Sequence, residues 1–251
     1  MKLNCDLGES FGLWKMGLDA QVMPHINLAN IACGFHASDP LTMSKTLTLA
    51  KQHQVSIGAH PAYPDLVGFG RRSMACSSEE LQALITYQVG ALQALAVAQG
   101  LTLSYVKPHG ALYNDMMKDI KVFADICQAI SRYNNKLTLM IQALPDTRQF
   151  QEIADSYGIT LWFEAFADRN YQDNGLLVPR SQANAVITEP KAVLARCQTL
   201  LEHGHLLSEN DKAIEMQVDT LCVHGDNPSA VDLVVELSTL INGHSQNHSA
   251  E

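Results

Sequence analysis

Hydrophobic positions along this chain fall into short runs that stop at polar, glycine-bearing corners, and the corners recur at similar intervals. Leu3 to Leu7 alternates apolar and polar residues and ends at Gly8-Glu9, which predicts a first strand with Asn4 and Asp6 on one side of it. Ile26 to Cys33 predicts a second strand, carrying Asn30 and ending at Gly34-Phe35-His36; Asp39-Pro40 then opens a helix as N-cap and first-turn residue. Val55-Ser56-Ile57 predicts a short buried third strand. Ser77-Ser78-Glu79-Glu80 is a capping box, and it predicts a helix over 79–99 in which Leu81, Leu84, Ile85, Val89, Leu92, Leu95 and Ala96 keep three-four spacing until Gly100 stops it. Leu103 to Val106, Leu137 to Ile141, Ile159 to Phe163 and Thr220 to Val223 complete seven strands. Further helices are predicted from near Pro145, over Pro190 to His203, and from Pro228, where Asn227 caps and Ala230, Val234, Leu237 and Ile241 share a face.

Strands and helices alternate without a Pro/Ser-rich or charge-biased linker, which predicts a single parallel α/β barrel over residues 1–243, closed or nearly so, with 244–251 as a polar, frayed tail. A doubly wound open sheet is the alternative architecture. Either one gathers the residues that follow each strand on one rim, the edge where α/β proteins bind ligands.

The longest of these corners is Gly58-Ala59-His60-Pro61-Ala62-Tyr63-Pro64-Asp65-Leu66-Val67-Gly68-Phe69-Gly70-Arg71-Arg72. Three glycines and two prolines in fifteen residues make a loop with a definite path rather than a slack one. The same strand-end rule delivers Asp6, His36, Lys107 with His109, Glu164 with Asp168 and Arg169, and His224 with Asp226. Independent structural histidines have no reason to fall repeatedly at one phase of a βα unit. Imidazoles beside Asp6, Glu164 and Asp226 supply acids and bases near neutral pH; Lys107, Arg71, Arg72 and Arg169 supply fixed positive charge for a carboxylate, oxyanion or phosphate. Acid–base chemistry on an anionic substrate fits this set.

Composition narrows the field. With 47% hydrophobic and 17% charged residues in 251, the chain can bury a large core, and a net charge of −9 without a basic cluster beyond Arg71-Arg72 argues against nucleic acid or an anionic membrane as partner. The polar start, Met1-Lys2-Leu3-Asn4-Cys5-Asp6, lacks the apolar core of a signal peptide, and no apolar run is expected to reach membrane-spanning length, so a cytoplasmic protein is expected. Six dispersed cysteines with no C-x-x-C read as reduced thiols. Asp6, His60 and His109 form a candidate metal triad, but no H-x-x-x-H or H-E-x-x-H pair sets ligands by helix geometry, and a divalent metal stays an open alternative. P-loop, Rossmann and G-x-S-x-G signatures are absent from the sequence.

Six segments in order resemble the LamB/YcsF family, the family of the A subunit of bacterial ATP-dependent 5-oxoprolinase: Leu3 to Glu9, Asn30 to His36, Gly58 to Arg72, Val106 to Asn114, Glu164 to Tyr171 and Cys222 to Pro228. The resemblance covers the chain short of its tail. It departs at Ser38, where the family is expected to favour glycine before the aspartate. It implies a barrel of about seven strands related to sugar deacetylases, opening of the lactam of 5-oxo-L-proline to L-glutamate, ATP as co-substrate, and B and C partner subunits; a homo-oligomer is also allowed. By chemistry, Asp6 or His109 would serve as general base, His60 and His224 as acid or orienting groups, and Lys107 with Arg71 and Arg72 as the anion holders. Asn4, Asn30, His36, Tyr63, Glu164, Asp168, Arg169 and Asp226 complete the expected substrate site. Two competing readings remain: a metal-dependent deacetylase or amidohydrolase that needs no ATP, and a non-catalytic subunit that holds the lactam for its partners.

Overall fold

Seven parallel strands close into a barrel in a computed structural model that describes residues 1–223 and 228–247. The elements in chain order are β1 (Lys2–Leu7), α1 (Asp19–Val22), β2 (Leu28–Ala32), α2 (Pro40–Gln52), β3 (Ser56–His60), α3 (Ser78–Ala98), β4 (Tyr105–Val106), α4 (Gly110–Lys118), α5 (Ile120–Asn134), β5 (Thr138–Gln142), α6 (Arg148–Ser156), β6 (Leu161–Phe166), α7 (Pro190–His203), β7 (His205–Leu207), β8 (Ala213–Glu215), β9 (Thr220–Cys222) and α8 (Pro228–Asn247). β1 to β6 pair in sequence order, and β9 closes the ring between β6 and β1. β7 and β8 form a separate antiparallel hairpin.

The predicted caps hold. Asp39 accepts the backbone N–H groups of Leu41 and Thr42 at the start of α2, and Ser77 with Glu80 closes a full capping box on α3. The open-sheet alternative falls. Strand ends shift by one to three residues from the predicted ones, α6 begins at Arg148 rather than near Pro145, and α8 continues to Asn247, through the first part of the predicted tail. At 21 residues α3 is, against expectation, apolar and long enough to cross a membrane; here Leu81, Ile85, Val89, Leu92 and Ala96 are buried as it packs against α5, α2 and β3.

Side-chain alternation divides the interior in two. Leu3, Cys5, Leu7, Ala29, Ile31, Ile57, Ala59, Val106, Leu139, Ile141, Phe163, Ala165 and Leu221 face outward into the main hydrophobic core under the helices. The alternate positions face the barrel lumen. A separate apolar cluster of Leu28, Tyr105 and Met140, with Trp162 against it, plugs that lumen toward the amino ends of the strands. Gly58 makes room for this plug, because a Cβ there would lie 2.2 Å from the Tyr105 ring. Above it the inward positions turn polar: Asn4, Asp6, Asn30, His60, Lys107, Gln142 and Glu164. A burial pattern that is apolar outside and polar inside thus builds a stable shell around a reactive interior.

Ser38 adopts φ +76°, a left-handed conformation that a side chain penalises, and its buried hydroxyl has no hydrogen-bond partner. The family's expected glycine suits that backbone. Ser38→Gly should therefore stabilise the fold by about 1 kcal/mol, raising Tm by a few degrees in thermal denaturation.

Candidate active site

A lysine on the lumen side of β4's end must find counter-charges, because a bare buried ammonium is prohibitively costly. Lys107 Nζ lies 2.7 Å from Glu164 Oε1 on β6 and 3.0 Å from Asp6 Oδ1 on β1, with Asn4 Oδ1 and Cys222 Sγ each at 3.3 Å. Burial pulls the Lys107 pKa down, but Asp6, Cys222 and Glu164 outweigh it and hold the ammonium well above its ordinary range. The remaining acceptors are filled as well. Asn30 Nδ2 donates to Asn4 Oδ1 (2.7 Å) and Asp6 Oδ1 (2.8 Å), the Tyr105 hydroxyl donates to Asn30 Oδ1 (2.7 Å), and the Tyr113 hydroxyl donates to Glu164 Oε2 (3.0 Å).

Beside this network stand three histidines. His60, at the end of β3, approaches the Lys107 carbonyl oxygen through Nδ1 at 2.7 Å; His109, the residue before α4, approaches the Phe69 carbonyl oxygen through Nε2 at 2.9 Å. A carbonyl oxygen can only accept, so each of those nitrogens carries a proton. The other two, His60 Nε2 and His109 Nδ1, face each other at 3.0 Å. His36 stacks on His109 with ring centroids 3.7 Å apart, and its Nε2 lies 3.2 Å from Glu9 Oε1. The long loop after β3 seats these rings. A Cβ at Gly70, where φ is +63°, would lie 2.8 Å from both His36 and His109.

The cleft above the network measures about 930 Å³. Asp6, Glu9, His60, Lys107 and His109 line its floor, and Phe69, Arg71, Tyr113, Lys118, Gln142, Arg169 and Arg180 are on its walls. One ammonium faces the three carboxylates of Asp6, Glu9 and Glu164 in the described lumen, so its inner end favours cations, while Arg71, Lys118 and Arg180 favour anions nearer the mouth.

The structure joins eight of the expected residues, Asn4, Asp6, Asn30, His36, His60, Lys107, His109 and Glu164, and sets Arg71 on the cleft wall over the Phe69 ring. Others have different work. Arg72 is bound by the buried Asp65, which it helps hold down at a pKa of about 2, and it does not line the cleft. Tyr63 is buried with its hydroxyl on Asp115, 3.1 Å away, and also lies off the cleft. Asp168 is off it too, its carbonyl accepting from Ile187 N–H. Arg169 reaches the wall, but its guanidinium donates to the Val178 and Ala185 carbonyls and fastens the loop after β6. Lys107 is consumed by its own carboxylates rather than offered to a substrate anion. His224 and Asp226, with the cap Asn227, lie outside the described residues. Glu9 and Tyr113 were missed, although Glu9 follows β1 as directly as His36 follows β2.

Fold and site together define a TIM-like α/β-barrel protein whose ionisable groups converge at the carboxyl ends of the strands. The LamB/YcsF family model matches residues 1–250. A Vibrio cholerae relative named as the A subunit of 5-oxoprolinase is 53% identical over 237 residues, covering 94% of this chain and 96% of that one. A Pseudomonas putida protein, named as the second of that organism's 5-oxoprolinase A subunits, is 52% identical, covering 96% and 93%. The crystal structure of a lactam utilization protein from Thermus thermophilus superposes with a TM-score of 0.88 at 38% identity, covering 98% and 97%. The chain belongs to the LamB/YcsF family.

Two of the histidines carry a pH signature. Burial, followed by His60 and then Arg71, holds His36 well below the usual 6.5 against the pull of Asp6; burial, His36 and His60 do the same to His109. The folded rings resist protons that the unfolded chain accepts below pH 6.5. Stability is therefore full above that pH and lost as pH falls. Thermal denaturation between about pH 7.5 and pH 5 should show a falling Tm, and His36→Gln should flatten the fall.

Proposed function

We propose that this chain is the A-type subunit of an ATP-dependent 5-oxoprolinase, acting in the cytoplasm with B and C partner subunits to open 5-oxo-L-proline to L-glutamate while ATP becomes ADP and phosphate. The observation that carries the reading is the cleft itself: a chain half identical to proteins named for this activity places its acid–base groups on the floor of a cavity with cationic walls. A lactam is a resonance-stabilised amide. Phosphorylation of its oxygen makes the ring carbon electrophilic to water, and collapse of the adduct breaks the C–N bond as nitrogen gains a proton. Nothing in the sequence is a P-loop, so ATP binding is not assigned to this chain's own motifs.

In this reading the His60–His109 pair moves the proton, since its facing nitrogens are the unsatisfied basic positions on the floor. Asp6, with Oδ2 at 3.4 Å from His60 Nε2, orients the pair and stabilises its charged form. Lys107 and Glu164 hold Asp6 and Tyr113 in place, and Arg71 takes the substrate carboxylate at the wall. Leu13, Trp14 and Val67 are strongly exposed, and Met16, Leu66 and Val67 lie along the cleft; an apolar rim of this kind supports a partner chain seated over the mouth.

The decisive assay follows glutamate from 5-oxoproline with and without ATP, using this chain alone and then co-expressed with its genomic neighbours. ATP-dependent glutamate in the combined sample is the expected result, and His109→Ala should lower it by about a hundredfold or more. An assembled complex that makes none would overturn the assignment.

A further inference from the structure

The two facing nitrogens of His60 and His109 cannot coexist as bare lone pairs. Both protons are committed to carbonyl oxygens, and 3.0 Å leaves two acceptors pointing at one another. Something positive belongs between them. The neighbouring oxygens say what: Glu9 Oε1 lies 3.8 Å from His109 Nδ1, and Asp6 Oδ2 lies 3.4 Å from His60 Nε2. Nitrogen and oxygen donors about 2.0–2.2 Å from one small ion stand about 2.8–3.6 Å apart along the edges of its coordination shell. The observed separations match that spacing, with only Glu9 needing to draw in slightly.

We propose that Glu9, His60 and His109 bind one first-row divalent metal ion on the floor of the cleft, with Asp6 beside His60 as the further oxygen donor. Two imidazoles and carboxylate oxygens suit ions such as Zn²⁺, Mn²⁺ and Co²⁺. His36 belongs to the same cluster of potential donors, all within 4.8 Å of one another, yet it is not a ligand here. Its ring lies 5° from parallel with His109 at a centroid distance of 3.7 Å, and the in-plane lone pairs of stacked rings do not converge on one ion. It acts instead as a positioning residue, donating from Nε2 to Glu9. Lys107 performs the matching task on the other side by holding Asp6 and, through its carbonyl, His60.

The proposal does not rest on the 5-oxoprolinase reading, because it is tested by binding alone. Chain stripped with a chelator is titrated with Co²⁺, followed by visible absorption, and with Zn²⁺ and Mn²⁺ by equilibrium dialysis and metal analysis. The expected result is one ion per chain, with nitrogen-ligand absorption bands for Co²⁺. Glu9→Gln and His109→Asn should weaken binding by at least about tenfold, and His36→Gln by a smaller factor that leaves the stoichiometry intact. Circular dichroism on each variant separates lost ligands from lost fold, and Glu9→Gln, which keeps the side chain's size, guards against a misfolded His109 variant. No stoichiometric binding of any of the three ions to folded wild-type chain would overturn the proposal and assign the gap to a shared proton. Binding undiminished in both ligand variants would overturn it equally.

Discussion

A buried ammonium sets the terms for this barrel. Lys107 enters the lumen from a strand of only two residues, and its charge is tolerable there because β1 and β6 each bring a carboxylate within hydrogen-bond distance. That demand propagates around the ring. Asp6, once drawn to Lys107, also accepts from Asn30; Asn30 and Asn4 are in turn satisfied by Tyr105 and Thr220. Glu164 takes its second partner from Tyr113 in α4. The carbonyl of Lys107 itself receives His60, so one residue couples the ion-pair network to the histidine cluster.

Division of labour between the two faces of each strand makes such a lumen affordable. The outward positions supply the hydrophobic core with the helices, while Leu28, Tyr105 and Met140 seal the lumen below the polar layer. The ionisable residues are then free to be chosen for chemistry. Their partners keep them in fixed orientations before any ligand arrives, which is the property a proton-transfer or metal centre needs.

Much of this was legible in the chain. Period-two strands, strand-end histidines and the two helix caps follow from local rules, and they sufficed to predict a barrel with a polar rim. What local rules could not supply was the direction of each charge. Arg72 and Lys107 read alike as cations at corners, yet Asp65 sits seven residues before Arg72 and takes it, whereas Lys107 meets carboxylates from β1 and β6. Tyr63 lay in the densest motif but points to Asp115, and Glu9 was passed over as a turn residue although it reaches His36. The hairpin of β7 and β8 and the paired helices α4 and α5 escaped because segments this short or this polar carry weak periodicity. Pairing partners distant in sequence decide each of these cases.

The most direct test is the unfolding free energy of Lys107→Met set against that of the double variant Lys107→Met/Glu164→Gln in urea. If the paired ammonium organises the lumen, the single variant strands two carboxylates and loses about 3–5 kcal/mol, and the double variant, with one of those charges removed, regains a substantial part of it. A Lys107→Met chain within about 1 kcal/mol of wild type, or a double variant with no recovery, would contradict the account.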